Sequence, residues 1–239
     1  MEKVLITNKQ GTTVFILFVL GSNLLLGIAE EAKRDSWLAA MLAIVMAVPA
    51  MLVYARILSN FPGKNLFDIL QVVFGRFFGS VISILYIWYA FHLGSLVTRN
   101  FSEFINVIAL PETPELFIIL IFILLCIWAV KEGIELLGKW TEFFANFVIF
   151  FILVLVLLSI PNMEKNNILP VMYNGAGPII KGMISGFTFP FGETVVFTMV
   201  LGSLKDKKSP YKVFLTGMLV GGVILVIVTL MNVLVLGEE

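Results

Sequence analysis

The chain has 239 residues, of which 59% are hydrophobic and 13% are charged, and its mean hydropathy is +1.02. A soluble domain carries about 25% charged residues, so this composition excludes a soluble globular protein and indicates an integral membrane protein in a lipid bilayer. The formal net charge of zero gives no indication of a nucleic-acid partner. The single cysteine, Cys126, excludes an intramolecular disulfide.

Seven apolar segments are long enough, or nearly so, to cross a bilayer as helices, which takes about 20 residues. Turn-forming residues separate them, for example Pro62-Gly63 and Ser209-Pro210. The fourth segment is short. We predict spans, in chain order, at Thr12–Ala29, Trp37–Leu58, Phe77–Val97, Leu116–Val130, Phe143–Ile160, Gly177–Leu204 and Val213–Leu236.

Two stretches between the spans mix charged and apolar residues. Lys64–Val73 and Lys131–Glu142 both place apolar side chains at helical spacing, so we predict surface helices or solvated connectors there. Lysine and arginine are also distributed unequally along the chain. If the N-terminus lies on the inner side of the membrane, 11 of these residues lie on the inner side and 5 on the outer side. The positive-inside rule favours that orientation.

Spans one and six contain residues that interrupt helices. Span one carries Gly21 and Gly27, and span six carries Gly186–Glu193, which reads GFTFPFGE. Freed backbone groups cannot face lipid, so they must pack against protein or line a wet cavity. Interruptions at corresponding places in two five-helix halves are typical of the midplane site of an inverted-repeat transporter fold. The alternative is that the glycines allow close helix packing and the proline only kinks span six.

Such a site suits an amino acid. Exposed backbone amides at the start of a half-helix bind a carboxylate, a carboxylate such as Glu193 suits an ammonium group, and phenylalanines can enclose the side chain. Asn23 is predicted either to cap a half-helix or contact ligand, or to bond between helices. The candidate ligand-binding residues in these two spans are Gly21, Ser22, Asn23, Gly27, Gly186, Phe187, Thr188, Phe189, Pro190, Phe191, Gly192 and Glu193.

Span three contains the only histidine, His92. This residue either relays protons or contacts ligand, or it is a hydrogen-bonded packing residue between helices. The sequence contains no Walker-type glycine loop, dinucleotide fingerprint, paired metal-ligand spacing or nucleophile elbow. We therefore predict no enzyme activity, no cofactor and no metal site.

Six short motifs occur in order along the chain. They are Asp35-Ser36-Trp37, Phe61-Pro62-Gly63-Lys64, Leu110-Pro111-Glu112-Thr113-Pro114, Lys131-Glu132-Gly133-Ile134-Glu135 with Glu142, Ile168-Leu169-Pro170-Val171 and Phe189-Pro190-Phe191-Gly192-Glu193. With these motifs the chain resembles the B subunit of spore germinant receptors, and the motif in span six matches that family almost letter for letter.

This resemblance implies a role in sensing small germinants, usually amino acids, in the spore inner membrane. The partners would be the receptor's A subunit and its C subunit, a lipoprotein. The family is related to amino acid–polyamine–organocation transporters, which have two inverted five-helix repeats. That relationship implies a ligand site between spans one and six, to which span three adds His92 and Leu93.

The resemblance also implies a domain organisation. Residues 1–239 would form a single transmembrane domain, with about 1–160 as the first five-helix repeat and about 161–239 as an incomplete second repeat. The family has about ten spans, whereas this chain has seven predicted ones, so we expect a truncated version of the fold.

Three functions are compatible with the residues. The first is a germinant receptor subunit that binds an amino acid and signals to its partners. The second is a secondary transporter that couples amino acid uptake to protons through Glu193. The third is a structural membrane subunit that binds no ligand.

Overall fold

The computed structural model describes residues 6–204 and 208–237, and within these ranges the chain forms helices and turns without a β-strand. Lys3, Lys205 and Lys207, which the predicted orientation places on the inner side, lie outside the described ranges. The α-helices of the described part are α1 Asn8–Leu20, α2 Asn23–Leu26, α3 Ser36–Asn60, α4 Leu66–Ile108, α5 Glu115–Glu132, α6 Ile134–Ser159, α7 Ala176–Gly186, α8 Phe197–Val200 and α9 Ser209–Leu236.

Six helical segments of the described chain are long and apolar enough to cross a membrane. The predicted fourth span lies within α5, an 18-residue helix with charged residues near both ends, so its apolar stretch is shorter than those of the others. The prediction of an all-α, multi-span membrane protein is confirmed. The six segments are Asn8–Leu26, Glu30–Asn60, Leu66–Ile108, Ile134–Asn162, Ala176–Val200 and Ser209–Leu236.

The two stretches predicted as surface helices are helical, and each contains or precedes a glycine with a positive φ angle. Most of Lys64–Val73 forms the start of α4, which bends at Gly75, where φ is 74° and ψ is 174°. Lys131–Glu142 is divided at Gly133, where φ is 85°, between the end of α5 and the start of α6. At both places the left-handed backbone ends one helical direction and starts another.

The core lies where α3 and α1 pack on α9, and α3 also packs on α7. Small residues allow these helices to approach closely. Along α3 the alanines at positions 39, 40, 43, 47 and 55 are fully buried. On α9, a Cβ atom at Gly217 would lie 2.6 Å from Cδ1 of Phe15, so the aromatic ring of α1 packs directly against the backbone of α9.

The outer faces of α4, α5 and α6 carry large apolar side chains that the protein leaves uncovered. Phe77 and Phe91 of α4 are 74% and 76% exposed, and Leu158 of α6 is 70% exposed. A soluble protein rarely exposes apolar patches of this extent. These faces are suited to contact with lipid hydrocarbon.

Candidate functional site

Span one is interrupted after Leu20. Gly21 closes α1 by donating its N–H to the Leu17 carbonyl at 2.8 Å. Asn23 begins α2, is 3% exposed, and donates from Nδ2 to the Val19 carbonyl at 2.8 Å. The Asn23 side-chain amide therefore donates to a backbone carbonyl that the interruption leaves free, and so it caps the end of α1.

Span six is interrupted after Gly186. The backbone of Phe189 is extended, with φ −128° and ψ 113°, inside the turn Phe187–Phe191. Gly186 is buried, and a Cβ atom there would lie 3.2 Å from Ile28 and 3.1 Å from Ala43. The absence of a side chain at Gly186 thus brings the end of α7 against Ile28 at the end of span one and against Ala43 of α3.

The end of span one and the interruption of span six meet at a cavity of about 440 Å³, which we call the inter-span cavity. Three of the predicted ligand-binding residues line it: Gly27 from span one, and Thr188 and Phe189 from span six. Its polar groups include two carboxylates and a serine that the sequence reasoning missed. The complete lining is Leu26, Gly27, Ile28, Ala29, Glu30, Glu31, Ser185, Thr188 and Phe189.

The carboxylates of the cavity are positioned by local backbone geometry. Gly27 has φ 74° and ψ 176°, and the Glu30 carboxylate oxygen Oε1 occupies the space that a Cβ atom at Gly27 would need. Ala29 is left-handed at φ 58°, so the chain turns sharply before Glu30. Glu31 accepts a hydrogen bond from the Ser185 hydroxyl at 2.7 Å, which ties this turn to α7.

The other predicted residues of spans one and six do not line the inter-span cavity. Ser22 and Asn23 are buried, and Gly21 is half-buried at the end of α1. Within span six, Phe191 is fully buried and lies against α9, where a Cβ atom at Gly222 would be 3.3 Å from its Cζ atom. Gly186, Phe187, Pro190 and Gly192 form the surrounding backbone and packing shell.

Glu193 lies on a 3₁₀ turn, Gly192–Val196, and is half-buried. Its carboxyl group is close enough to the Tyr89 phenol of α4 to interact with it electrostatically. Tyr89 lines another cavity, of about 420 Å³, together with Tyr54, Ile82, Leu85, Tyr86 and Val195. Glu193 is therefore associated with the α3–α4 side of span six.

The predicted residues of span three lie on α4, away from the inter-span cavity lining. His92 is exposed, and its ring stacks on Trp88 with a centroid distance of 5.5 Å and an interplanar angle of 6°. Leu93 is 8% exposed and packs inward. Among the described residues, no group of three or more His, Cys, Asp or Glu side chains is placed to hold a metal ion.

A second set of contacts fixes the turn after span one to the loop before span six. Asp35 is 2% exposed, and its two carboxylate oxygens accept from the Met172 backbone N–H at 3.0 and 3.1 Å. Arg34 donates from Nη1 to the Leu169 carbonyl at 2.9 Å. Two of the sequence motifs, Asp35-Ser36-Trp37 and Ile168–Val171, are thereby brought to the same end of the helix bundle.

These features define a multi-span helical membrane protein with a cavity of small-molecule size between two interrupted spans. The family model for spore germination proteins matches residues 5–239. The chain therefore belongs to the spore germination protein family, which confirms the resemblance drawn from its motifs.

Individual relatives support the same assignment. Spore germination protein KB of Bacillus subtilis (strain 168) is 30% identical over 243 residues, which cover 100% of this chain and 65% of that protein. Spore germination protein YndE of the same organism is 25% identical, covering 85% of this chain and 57% of its own length. Spore germination protein XB of Bacillus anthracis is 23% identical, with coverages of 82% and 55%.

The chain spans less than two-thirds of the length of these curated relatives. No solved structure matches it.

Proposed function

We propose that this protein is the membrane-spanning B subunit of a spore germinant receptor, which binds a small germinant, expected to be an amino acid, in the inter-span cavity. It acts in the spore inner membrane with an A subunit and a C lipoprotein subunit. The family membership and the names of the relatives support the role in germination. The observation that carries the binding proposal is the meeting of Gly27, Thr188 and Phe189 at one cavity of about 440 Å³.

The lining of the inter-span cavity suits a ligand with an ammonium group. Glu30 and Glu31 supply negative charge, and Thr188 supplies a hydroxyl. Carboxylates form the strongest hydrogen bonds with charged donors. Leu26 and Phe189 supply apolar surface for a side chain, as small-molecule sites commonly do. In this proposal the ammonium partner is the pair Glu30 and Glu31, whereas the sequence alone pointed to Glu193.

The domain organisation belongs to the same proposal. Residues of about 1–160 form the first repeat of a single transmembrane domain, and those of about 161–239 belong to its second repeat. The meeting of the end of span one with the interruption in span six supports this reading, because inverted-repeat transporters place their ligand site between two discontinuous helices.

The proposal is tested by reducing the space in the inter-span cavity. The variant gene is expressed in spores that lack the chromosomal gene. Compared with the unmodified protein, Thr188→Leu is expected to raise the half-maximal germinant concentration at least ~10-fold, equivalent to ~1.4 kcal/mol of binding free energy. Thr216→Leu is the matched control, because Thr216 is exposed on α9 and lines none of the cavities described above. A Thr188→Leu response equal to that of the control, at equal subunit abundance, would refute binding in this cavity.

A transport function is the second candidate, and the half-buried carboxylate of Glu193 in span six favours it. An intramembrane carboxylate is a common proton carrier in transporters. Uptake of labelled amino acids into proteoliposomes under a pH gradient, lost in Glu193→Gln, would support this function. Germinant response without any such uptake would support the receptor.

A further inference from the structure

A second cavity, of about 370 Å³, lies beside the inter-span cavity, and we call it the Lys33 cavity. The two share Gly27, Ile28 and Glu30. The Lys33 cavity is formed by the turn after span one and by the C-terminal end of α9. Unlike the inter-span cavity, it has groups of both charges in its lining, Glu30 and Lys33.

The two charged residues belong to the same turn, the 3₁₀ segment Glu30–Asp35. Lys33 has φ 50° and ψ −122°, a backbone conformation that side-chain-bearing residues rarely adopt. Residues held in such conformations cluster at ligand-binding sites. Within the described part of the chain, neither Glu30 nor Lys33 forms an ion pair. Both charges are thus available to an external ligand.

The remaining lining is divided between polar and apolar side chains. Ser36 at the start of α3 and Thr229 and Asn232 on α9 supply hydrogen-bonding groups. Val233 and Leu236 of α9 supply aliphatic surface. The cavity therefore offers one negative group, one positive group, neutral hydrogen-bonding groups and an aliphatic wall.

We propose that the Lys33 cavity is a second recognition site, which binds a zwitterionic α-amino acid with an aliphatic side chain. The Lys33 ammonium binds the ligand carboxylate, the Glu30 carboxylate binds the ligand ammonium, and the α9 residues contact the side chain. This inference rests on the proposed function for its ligand class, but it assigns a different site. Glu30 lines both cavities, whereas Lys33 lines only this one and Thr188 only the inter-span cavity, so Lys33 and Thr188 separate a ligand in one cavity from a ligand in the other.

The first test uses the unmodified protein, purified in nanodiscs, and three ligands of the same carbon skeleton. L-leucine carries both charges, L-leucinamide lacks the negative charge, and 4-methylpentanoate lacks the positive charge. Calorimetry is expected to show millimolar or tighter L-leucine binding and at least ~10-fold weaker binding of each analogue. Equal binding of all three ligands, or no L-leucine binding at millimolar concentration, would overturn the proposal.

The second test assigns each charge to its residue. Lys33→Gln is expected to abolish the preference for L-leucine over L-leucinamide while keeping the preference over 4-methylpentanoate. Glu30→Gln is expected to abolish the preference for L-leucine over 4-methylpentanoate while keeping the preference over L-leucinamide. Lys181→Gln and Glu112→Gln are matched controls, since both positions are exposed and lie outside the cavity linings. The same loss of preference in variant and control, or no loss in either variant, would contradict the assignment.

The two proposals fail in different ways. If L-leucine binding depends on Thr188 and not on Lys33, the inter-span cavity binds the ligand and the Lys33 cavity proposal is wrong. If binding depends on Lys33 but spores without the gene respond normally to every amino acid, the second site is supported and the germinant receptor role is refuted.

Discussion

At Gly27 the chain needs both a backbone angle and a space that no other residue provides. Its φ of 74° and ψ of 176° lie in a region that is essentially restricted to glycine. The Glu30 carboxylate occupies the space that a Cβ atom at Gly27 would need. One missing side chain thus allows span one to end and positions an acidic group at the junction of two cavities.

Replacement of Gly27 by alanine is expected to lower the free energy of unfolding by ~1–3 kcal/mol, the cost of a strained backbone. The new methyl group would also displace the Glu30 carboxylate. The measurement is the thermal unfolding midpoint of the purified protein, together with the germinant dose–response in spores.

Gly94→Ala is the matched control for this prediction. Gly94 lies inside α4, and a Cβ atom there meets nothing within 4 Å. Alanine is favoured over glycine in helices by up to ~1 kcal/mol, so the control should be neutral or slightly stabilising. Equal midpoints for the two variants would show that the Gly27 conformation is not required.

The helical elements were largely predictable, whereas the full lining of the cavities was not. Long apolar runs are sufficient to indicate membrane-spanning helices. Glycine and proline drew attention to Gly27, Thr188 and Phe189, which line the inter-span cavity. Glu30 and Glu31 could not be predicted, because charged residues follow many membrane spans and most of them lie in ordinary connectors. Here α7 packs against the turn that contains them, and this packing places them in a cavity. Similarly, helical periodicity alone could not tell which neighbours His92 has, and the structure places it on Trp88.

Between elements, the Asp35 carboxylate connects the start of α3 to the loop before α7. Removal of an acceptor from a hydrogen-bonded backbone N–H costs about 1–3 kcal/mol when that group is left unsatisfied. Asp35→Ala is therefore expected to release the segment around Met172, and Asp35→Asn, which keeps one acceptor oxygen, to have a smaller effect.

Limited proteolysis measures this release. Cleavage within residues 163–175 should be fastest in Asp35→Ala, intermediate in Asp35→Asn and slowest in the unmodified protein. Glu112→Ala, which removes an exposed carboxylate from another turn, should behave like the unmodified protein. The contact has no restraining role if all four proteins are cut at the same rate.

At the scale of the whole molecule, the two ends of α3 are held against different loops. The 25-residue α3 is long enough to cross the ~30 Å hydrocarbon core. Its first end is held to the Leu169–Met172 loop by Arg34 and Asp35. Its other end leads into the Phe61–Lys64 turn, whose backbone lies against Gly202. The two loops are therefore on opposite sides of the membrane.

The distribution of lysine and arginine predicts which side is which. With the N-terminus inside, 11 basic residues lie inside and 5 outside, so the Phe61–Lys64 turn should be cytoplasmic and the loop containing Lys165 should be outside. In a Cys126→Ser background, a membrane-impermeant maleimide applied to intact cells is expected to label Lys165→Cys. Pro62→Cys should be labelled only after permeabilisation. Both introduced positions are exposed in the structure, and the protein without an added cysteine is the control. The opposite labelling pattern would place the N-terminus outside and would put the Lys33 cavity on the cytoplasmic side, where it could not receive a ligand from outside the membrane.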